Sequence, residues 1–187
     1  MSTEKIRKNS VHTGEIKIHP DVDLNINENI VNVSGPLGKT NKDFSKIPVI
    51  FEKKDGSIHF KILKRGKQGN SLIRTIQSSF NNLFTGVTKG YTYKMKIYYE
   101  HFPLSLSASN GKIILKNFGG ERGLRETKII GDVKIKTEGE DVYVSGLSKD
   151  DVGLTVGNIR KICKIKNKDP RVFLDGIYLY LKEESTS

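Results

Sequence analysis

The chain of 187 residues is poor in the features that mark several large classes of protein. Its single cysteine, Cys163, excludes a disulfide scaffold and a multi-cysteine zinc finger. No apolar run approaches the roughly 18 residues of a spanning helix, so no membrane segment is expected. The first ten residues, Met1 to Ser10, lack the apolar stretch of a secretory signal. One cysteine and no export signal together point to the cytosol. There is no tail of lysine and arginine alone, the kind that threads into nucleic acid. Hydrophobic residues make up only 35% of the chain and the mean hydropathy is −0.44. The apolar positions nevertheless recur with clear periods, so most of the chain is expected to fold.

Catalytic constellations are also scarce. Gly38-Lys39-Thr40 follows a strand, as the end of a phosphate-binding loop would. That loop needs a glycine five positions earlier, where Val33 stands, and a helix starting at the lysine, where no helical period follows. A turn between strands is the better reading. His12, His19, His59 and His101 share no metal-ligand spacing. Cys163 falls on the apolar stripe of a helix near its C-terminal end, which suits a buried small hydrophobe rather than a thiolate nucleophile. Asp150-Asp151 lies at a helix start, where the macrodipole already accounts for it. No Gly-x-Ser-x-Gly elbow occurs. The expectation is a protein without catalytic activity and without a cofactor.

What the chain does have is positive charge. Lysine and arginine number 32 against 21 aspartates and glutamates, a formal net charge of +11. Chains this basic often bind polyanions, because lysine and arginine displace the counterions condensed on phosphates. The excess is uneven: residues 1–95 hold 16 cations and 8 anions, residues 96–187 hold 16 and 13. In both halves the cations are interleaved with apolar residues, which indicates a folded basic surface.

The periods alternate between strand and helix. Short strands are expected at Glu15 to Ile18, Leu24 to Ile26, Ile30 to Val33, Val49 to Phe51 and Ile58 to Ile62, the last two joined through Asp55-Gly56. From Lys67 the spacing of Leu72, Ile73, Ile76, Phe80, Leu83 and Phe84 predicts a helix ended by Gly86. Tyr91, Tyr93, Met95, Ile97 and Tyr99 then alternate as a strand. The second half repeats the order. Leu104 to Leu106 and Ile113 to Leu115 flank the turn Asn110-Gly111, and Val133 to Ile135 and Val142 to Val144 follow. A helix from Lys149 to Cys163, capped by Ser148 or Asp150, and a last strand from Gly176 to Leu181 complete it.

The halves align at an offset of 84, which places Ile58 on Val142 and Gly35 on Gly119. The fold class is therefore α+β: two tandem duplicated domains, each an antiparallel sheet packed against one helix. The expected divisions are a flexible arm over 1–14, a first repeat over 15–98, a second over 99–182 and a tail over 183–187. Tyr91, Tyr93, Tyr98 and Tyr99 read mainly as core against the helix, with base stacking the alternative.

The cations form sets. Arg160, Lys161, Lys164, Lys166, Lys168 and Arg171 put six positive charges in twelve residues at the end of the second helix, more than a helix terminus requires. Lys116, Arg122, Arg125 and Lys128 surround the Gly119-Gly120 loop, where backbone N–H groups and cations could meet phosphates together. Arg74 faces off the apolar stripe of the first helix. Lys164, Lys166, Lys168 and Arg171, then Lys116, Arg122, Arg125 and Lys128, then Arg160 and Arg74, are the candidate RNA-binding residues.

Asn167-Lys168-Asp169-Pro170-Arg171-Val172-Phe173-Leu174-Asp175-Gly176-Ile177-Tyr178 closely resembles the C-terminal signature of a family of large-subunit ribosomal proteins, called L-six in bacteria and L-nine in eukaryotes. The eukaryotic and archaeal branch is the nearer match. Gly86 to Met95 followed by His101-Phe102-Pro103 is similar to the family's mid-chain segment, Gly35-Pro36-Leu37-Gly38 with Phe44 to its first turn, and Asn117-Phe118 with Gly120-Glu121 to a loop of its second domain. These matches occur in the family's order from about Glu15 to Tyr178. The resemblance implies two duplicated α+β domains bound to large-subunit rRNA, the second near the sarcin–ricin loop and the factor-binding region. It implies neighbouring ribosomal proteins as partners, a monomer within a cytoplasmic ribosome, no membrane and no catalysis. Two other readings stay open: a free RNA chaperone or regulator outside the ribosome, and a small hydrolase or RNA-modifying enzyme using Cys163 or a histidine.

Overall fold

The computed structural model describes residues 12–54, 56–64, 66–166, 168–169 and 171–184. Contacts divide the chain into two units between Thr88 and Lys89. The first runs β1 (His12–Lys17), β2 (Asp23–Asn27), β3 (Ile30–Gly35), β4 (Gly38–Asp43), β5 (Val49–Lys54), β6 (Ser57–Ile62) and α1 (Lys67–Thr88). All of its strand pairs are antiparallel. They form two sheets, β1-β6-β5 and β2-β3-β4. Alternation along the strands turns Ile16, Val31, Val33, Ile58, Phe60 and Ile62 inward, where they meet Ile76, Phe80 and Val87 of α1. Phe80 stacks on Phe44 with ring centres 5.5 Å apart.

Gly38-Lys39-Thr40 opens strand β4 rather than a helix, with Gly35 paired to Gly38 across a two-residue turn. The turn is held to the end of α1 by the Leu37 N–H, which donates to the Val87 carbonyl at 3.0 Å. The helix continues through the buried Gly86 to Thr88 and stops before Gly90, whose φ of 77° is the left-handed C-terminal conformation. The expected end at Gly86 is thus two residues early, because a glycine inside a helix is tolerated where its small size lets it pack.

The second unit runs β7 (Tyr91–Tyr98), β8 (Ser105–Ser109), β9 (Lys112–Lys116), a 3-10 turn at Phe118–Gly120, β10 (Arg125–Lys128), β11 (Lys134–Glu138), β12 (Asp141–Gly146), α2 (Lys149–Ile162) and β13 (Gly176–Glu183). Its sheets are β10-β9-β8 and β11-β12-β7-β13, again antiparallel. Asn110 and Gly111, both at positive φ, make the hairpin turn between β8 and β9. Tyr91, Tyr93, Met95 and Ile97 of β7 share a core with Val142, Val144, Val152, Val156 and Ile159.

The units repeat one arrangement. β5, β6 and β1 of the first correspond to β11, β12 and β7 of the second, and each unit sets an α-helix against its antiparallel strands. This corrects the expected boundaries. β7 does not close the first repeat at residue 98; it pairs with β12 and β13 as a central strand of the second. Chain order suggested otherwise because a strand directly after a helix carries no mark of which sheet it will join. The expected arm over 1–14 is shortened as well: His12, Thr13 and Gly14 pair with Ile62, Lys61 and Phe60 in β1, and residues 1–11 lie outside the described residues. β13 extends to Glu183, the first residue of the expected tail.

Candidate nucleic-acid interface

Helix α2 organises the cationic end of the second unit. Ser148 caps it, its Oγ accepting from the Asp151 N–H at 3.3 Å. Asp150 and Asp151 in the first turn, and Arg160 and Lys161 in the last, match the helix dipole. Val152, Val156, Ile159 and Cys163 are buried, so Arg160, Lys161 and Lys164 project outward. The Cys163 thiol is pushed up to about 12, chiefly by burial, which keeps it protonated and unreactive at neutral pH.

Two concavities flank this end. The first is a groove of about 440 Å³ between α2 and β13. Arg160, Lys161 and Lys164 line it with Tyr178, and Gly157 and Gly176 contribute bare backbone to its walls. No carboxylate lines it, and among the described residues none of these three cations forms an ion pair. The second is a recess of about 140 Å³ whose walls include Phe102, Phe118, Phe173, Arg125, Lys166 and Lys168. Here the Gly119-Gly120 loop and the segment after α2, some forty residues apart in sequence, come together.

Arg125 joins them. Its Nε and Nη2 donate to the two oxygens of Glu121, the first at 2.8 Å. Its Nη1 donates to the carbonyl of Ile162, at 2.6 Å, one of the acceptors that the end of α2 leaves without a helical partner, and to that of Lys164 just beyond the helix, at 3.3 Å. The guanidinium carbon lies 4.4 Å from the centre of the Phe118 ring. Glu121 is held below its ordinary pKa first by the Arg125 hydrogen bond. On the other side, the buried Asp175 accepts from the Glu100 N–H at 3.0 Å and from His101 Nδ1 at 3.3 Å. Burial works to raise the Asp175 pKa, but these hydrogen bonds outweigh it and the carboxyl sits below its usual value. The His101 ring stacks on Phe173 at 4.9 Å, and Lys168 Nζ sits 4.4 Å from the centre of that same ring.

The ten candidate residues therefore separate. Lys166 and Lys168 border the recess, and Arg160 and Lys164 the groove. Arg125 is in the recess, but four hydrogen bonds occupy its edges, so it is a structural clamp rather than an open phosphate ligand. Arg171 is exposed but forks onto Asp169 at 3.0 and 3.2 Å, a local pair that lowers the Asp169 pKa. Lys116 and Arg122 are exposed on either side of the loop. Lys128 sits at the far end of β10, opposite Lys112 and away from Arg125, which faces Leu115. Arg74 is exposed on α1 in the other unit. Tyr91 and Tyr93 are core, as expected, whereas Tyr98 and Tyr99 are about half exposed. Sequence reasoning did not assign Phe102 and Phe173 to the site. The available signal was that neither ring falls on a helix or strand period, Phe102 standing before Pro103 and Phe173 shortly after the lysine-rich segment that follows α2.

The structure thus defines a basic, internally repeated α+β chain whose second unit gathers cations about the end of one helix. Residues 102–176, which contain that end, match the family model described as Ribosomal protein L6. The chain is 42% identical over 170 residues to the large ribosomal subunit protein uL6 of Staphylothermus marinus, covering 89% of this chain and 92% of that one. With the uL6 of Methanobrevibacter smithii the identity is 37% over 169 residues, 90% of this chain and 95% of that one. The uL6 of Desulfurococcus amylolyticus is 35% identical over 178 residues, 93% and 97% respectively. The chain belongs to the ribosomal protein L6 family, which is not a family of enzymes.

Proposed function

We propose that this chain is a structural component of the large ribosomal subunit in the cytoplasm, supporting translation as a single copy among neighbouring ribosomal proteins. The end of α2 grips large-subunit rRNA through phosphate contacts, near the sarcin–ricin loop and the factor-binding region as the family resemblance implies. The observation that carries this reading is the groove lined by Arg160, Lys161 and Lys164 without a carboxylate. Cations that form no ion pair with a described residue keep their attraction for a phosphate backbone, and release of condensed counterions drives the contact. RNA shape then supplies specificity, since phosphate contacts position a protein without reading bases.

The test is competition for assembly. Arg160→Gln with Lys164→Gln, expressed beside a tagged wild-type chain, is expected to be depleted from large subunits on sucrose gradients while it still melts cooperatively, its Tm lowered only by the lost charge–dipole term of Arg160, about 0.3–1 kcal/mol. In binding to isolated rRNA, the slope of log affinity against log salt is expected to fall by about 0.7 to 0.9 for each phosphate contact removed. Equal incorporation of the folded variant would refute the groove as the rRNA contact. Wild-type chain that stayed at the top of the gradient would favour the free chaperone instead.

A further inference from the structure

Phosphate binding does not account for the recess beside the groove. Its two carboxylates are already satisfied, Glu121 by Arg125, and Asp175 by the Glu100 N–H and His101. Neither is left for an incoming cation, and among the described residues no three acidic, histidine or cysteine side chains gather into a metal site. The edges of the Arg125 guanidinium are taken and one of its faces lies on Phe118. What this planar cation still has to offer the recess is its other face, and such a face binds by stacking. Phe102, 41% exposed, lines the same recess. Gly120, at a φ of 78°, lets that ring lie close, since a Cβ there would come within 3.1 Å of it. Lys166 and Lys168 stand at the same recess, and neither forms an ion pair with a described residue. A bare inorganic anion would use the lysines and ignore the aromatic walls. An apolar peptide would use the walls and strip water from two ammonium groups without return. A flat heterocycle joined to a phosphate satisfies both, and the cavity exceeds what a single water needs.

We infer that the recess receives one unpaired nucleotide of the large-subunit RNA, its base stacked on Phe102 and the open face of Arg125 and its phosphate held by Lys166 and Lys168. This rests on the rRNA-binding reading and adds to it a contact with a base. Stacking of one base typically changes affinity on the order of tenfold to a hundredfold.

The experiment uses large subunits depleted of this chain and rebuilt with the full-length protein. Dimethyl sulfate and a carbodiimide report base edges, and hydroxyl radicals report the backbone. With wild type, at least one base that is reactive in depleted subunits is expected to be protected inside the backbone footprint. Phe102→Ala is expected to restore its reactivity about tenfold, with the backbone footprint intact, and Phe102→Tyr to retain the protection. Should Phe102→Ala prove unstable, Lys166→Gln with Lys168→Gln, both exposed, is expected to release the same base. A backbone footprint with no protected base, or with protection untouched by Phe102→Ala and the lysine pair, overturns the inference and leaves phosphate binding standing. No footprint at all overturns both.

Discussion

At the scale of single residues, Arg125 and Asp175 show how charged groups can be committed to the fold within a basic site. Arg125 ties a loop to a helix end 37 residues away and leaves less positive charge for ligand than its place in the sequence suggests. That distance is why its role was not legible: a lone arginine beside a glycine pair reads as a phosphate contact until the carbonyls it meets are known. Asp175 makes a prediction about pH. Its folded pKa lies below the ordinary value. Its contribution to stability is therefore present above the unfolded carboxyl pKa of about 3.9 and lost as the pH falls through the lower folded value. Thermal melts of wild type and Asp175→Asn are expected to differ most near about pH 6, the gap beginning to close only as the pH falls below about 4. A gap in Tm that stayed constant across that range would show that Asp175 matters for shape rather than charge.

At the scale of elements, α2 is the part that the sequence described best. Its apolar spacing, its serine cap and its cationic last turn are local signals, and each is found where it was expected. Replacing the cap, Ser148→Ala, is expected to cost about 1 kcal/mol. For a unit of this size that lowers Tm by roughly 4–8 °C, read from a calorimetric scan. An unchanged Tm would mean that the Asp151 N–H finds another acceptor. Hairpins were legible for the same reason, since Asn110-Gly111 specifies its turn within two residues. β10, only four residues long with two cations and a glutamate, shows no apolar alternation and was not foreseen. It exists because its backbone completes the edge of β9. The recess was hidden too, because its aromatic walls, Phe102, Phe118 and Phe173, come from three segments far apart in sequence.

At the scale of the whole molecule, duplication was legible but its phase was not. The offset of 84 aligned the hairpins correctly, yet the assignment of β7 depended on pairing that only the fold reveals. A pair of truncations tests this. Residues 89–187 alone are expected to melt cooperatively, whereas residues 99–187 lack the strand between β12 and β13, lose the buried Tyr91, Tyr93, Met95 and Ile97, and are expected to remain unfolded by circular dichroism. Cooperative melting of the shorter piece would restore the boundary at 98. One further feature of the second unit bears on how it finds a partner. On its four-stranded sheet, Lys94 pairs with Glu183, Lys96 with Glu140 and Lys136 with Glu138, so that those strands contribute little net field. The densest group of cations without a carboxylate partner among the described residues, Arg160, Lys161, Lys164, Lys166 and Lys168, lies about the end of α2, which gives the unit a lopsided potential. Near a polyanion such a body experiences a torque before it touches, and it arrives already turned with that end leading. Added salt should then slow productive encounters by letting the unit tumble in at random, quite apart from any weakening of the contacts once made.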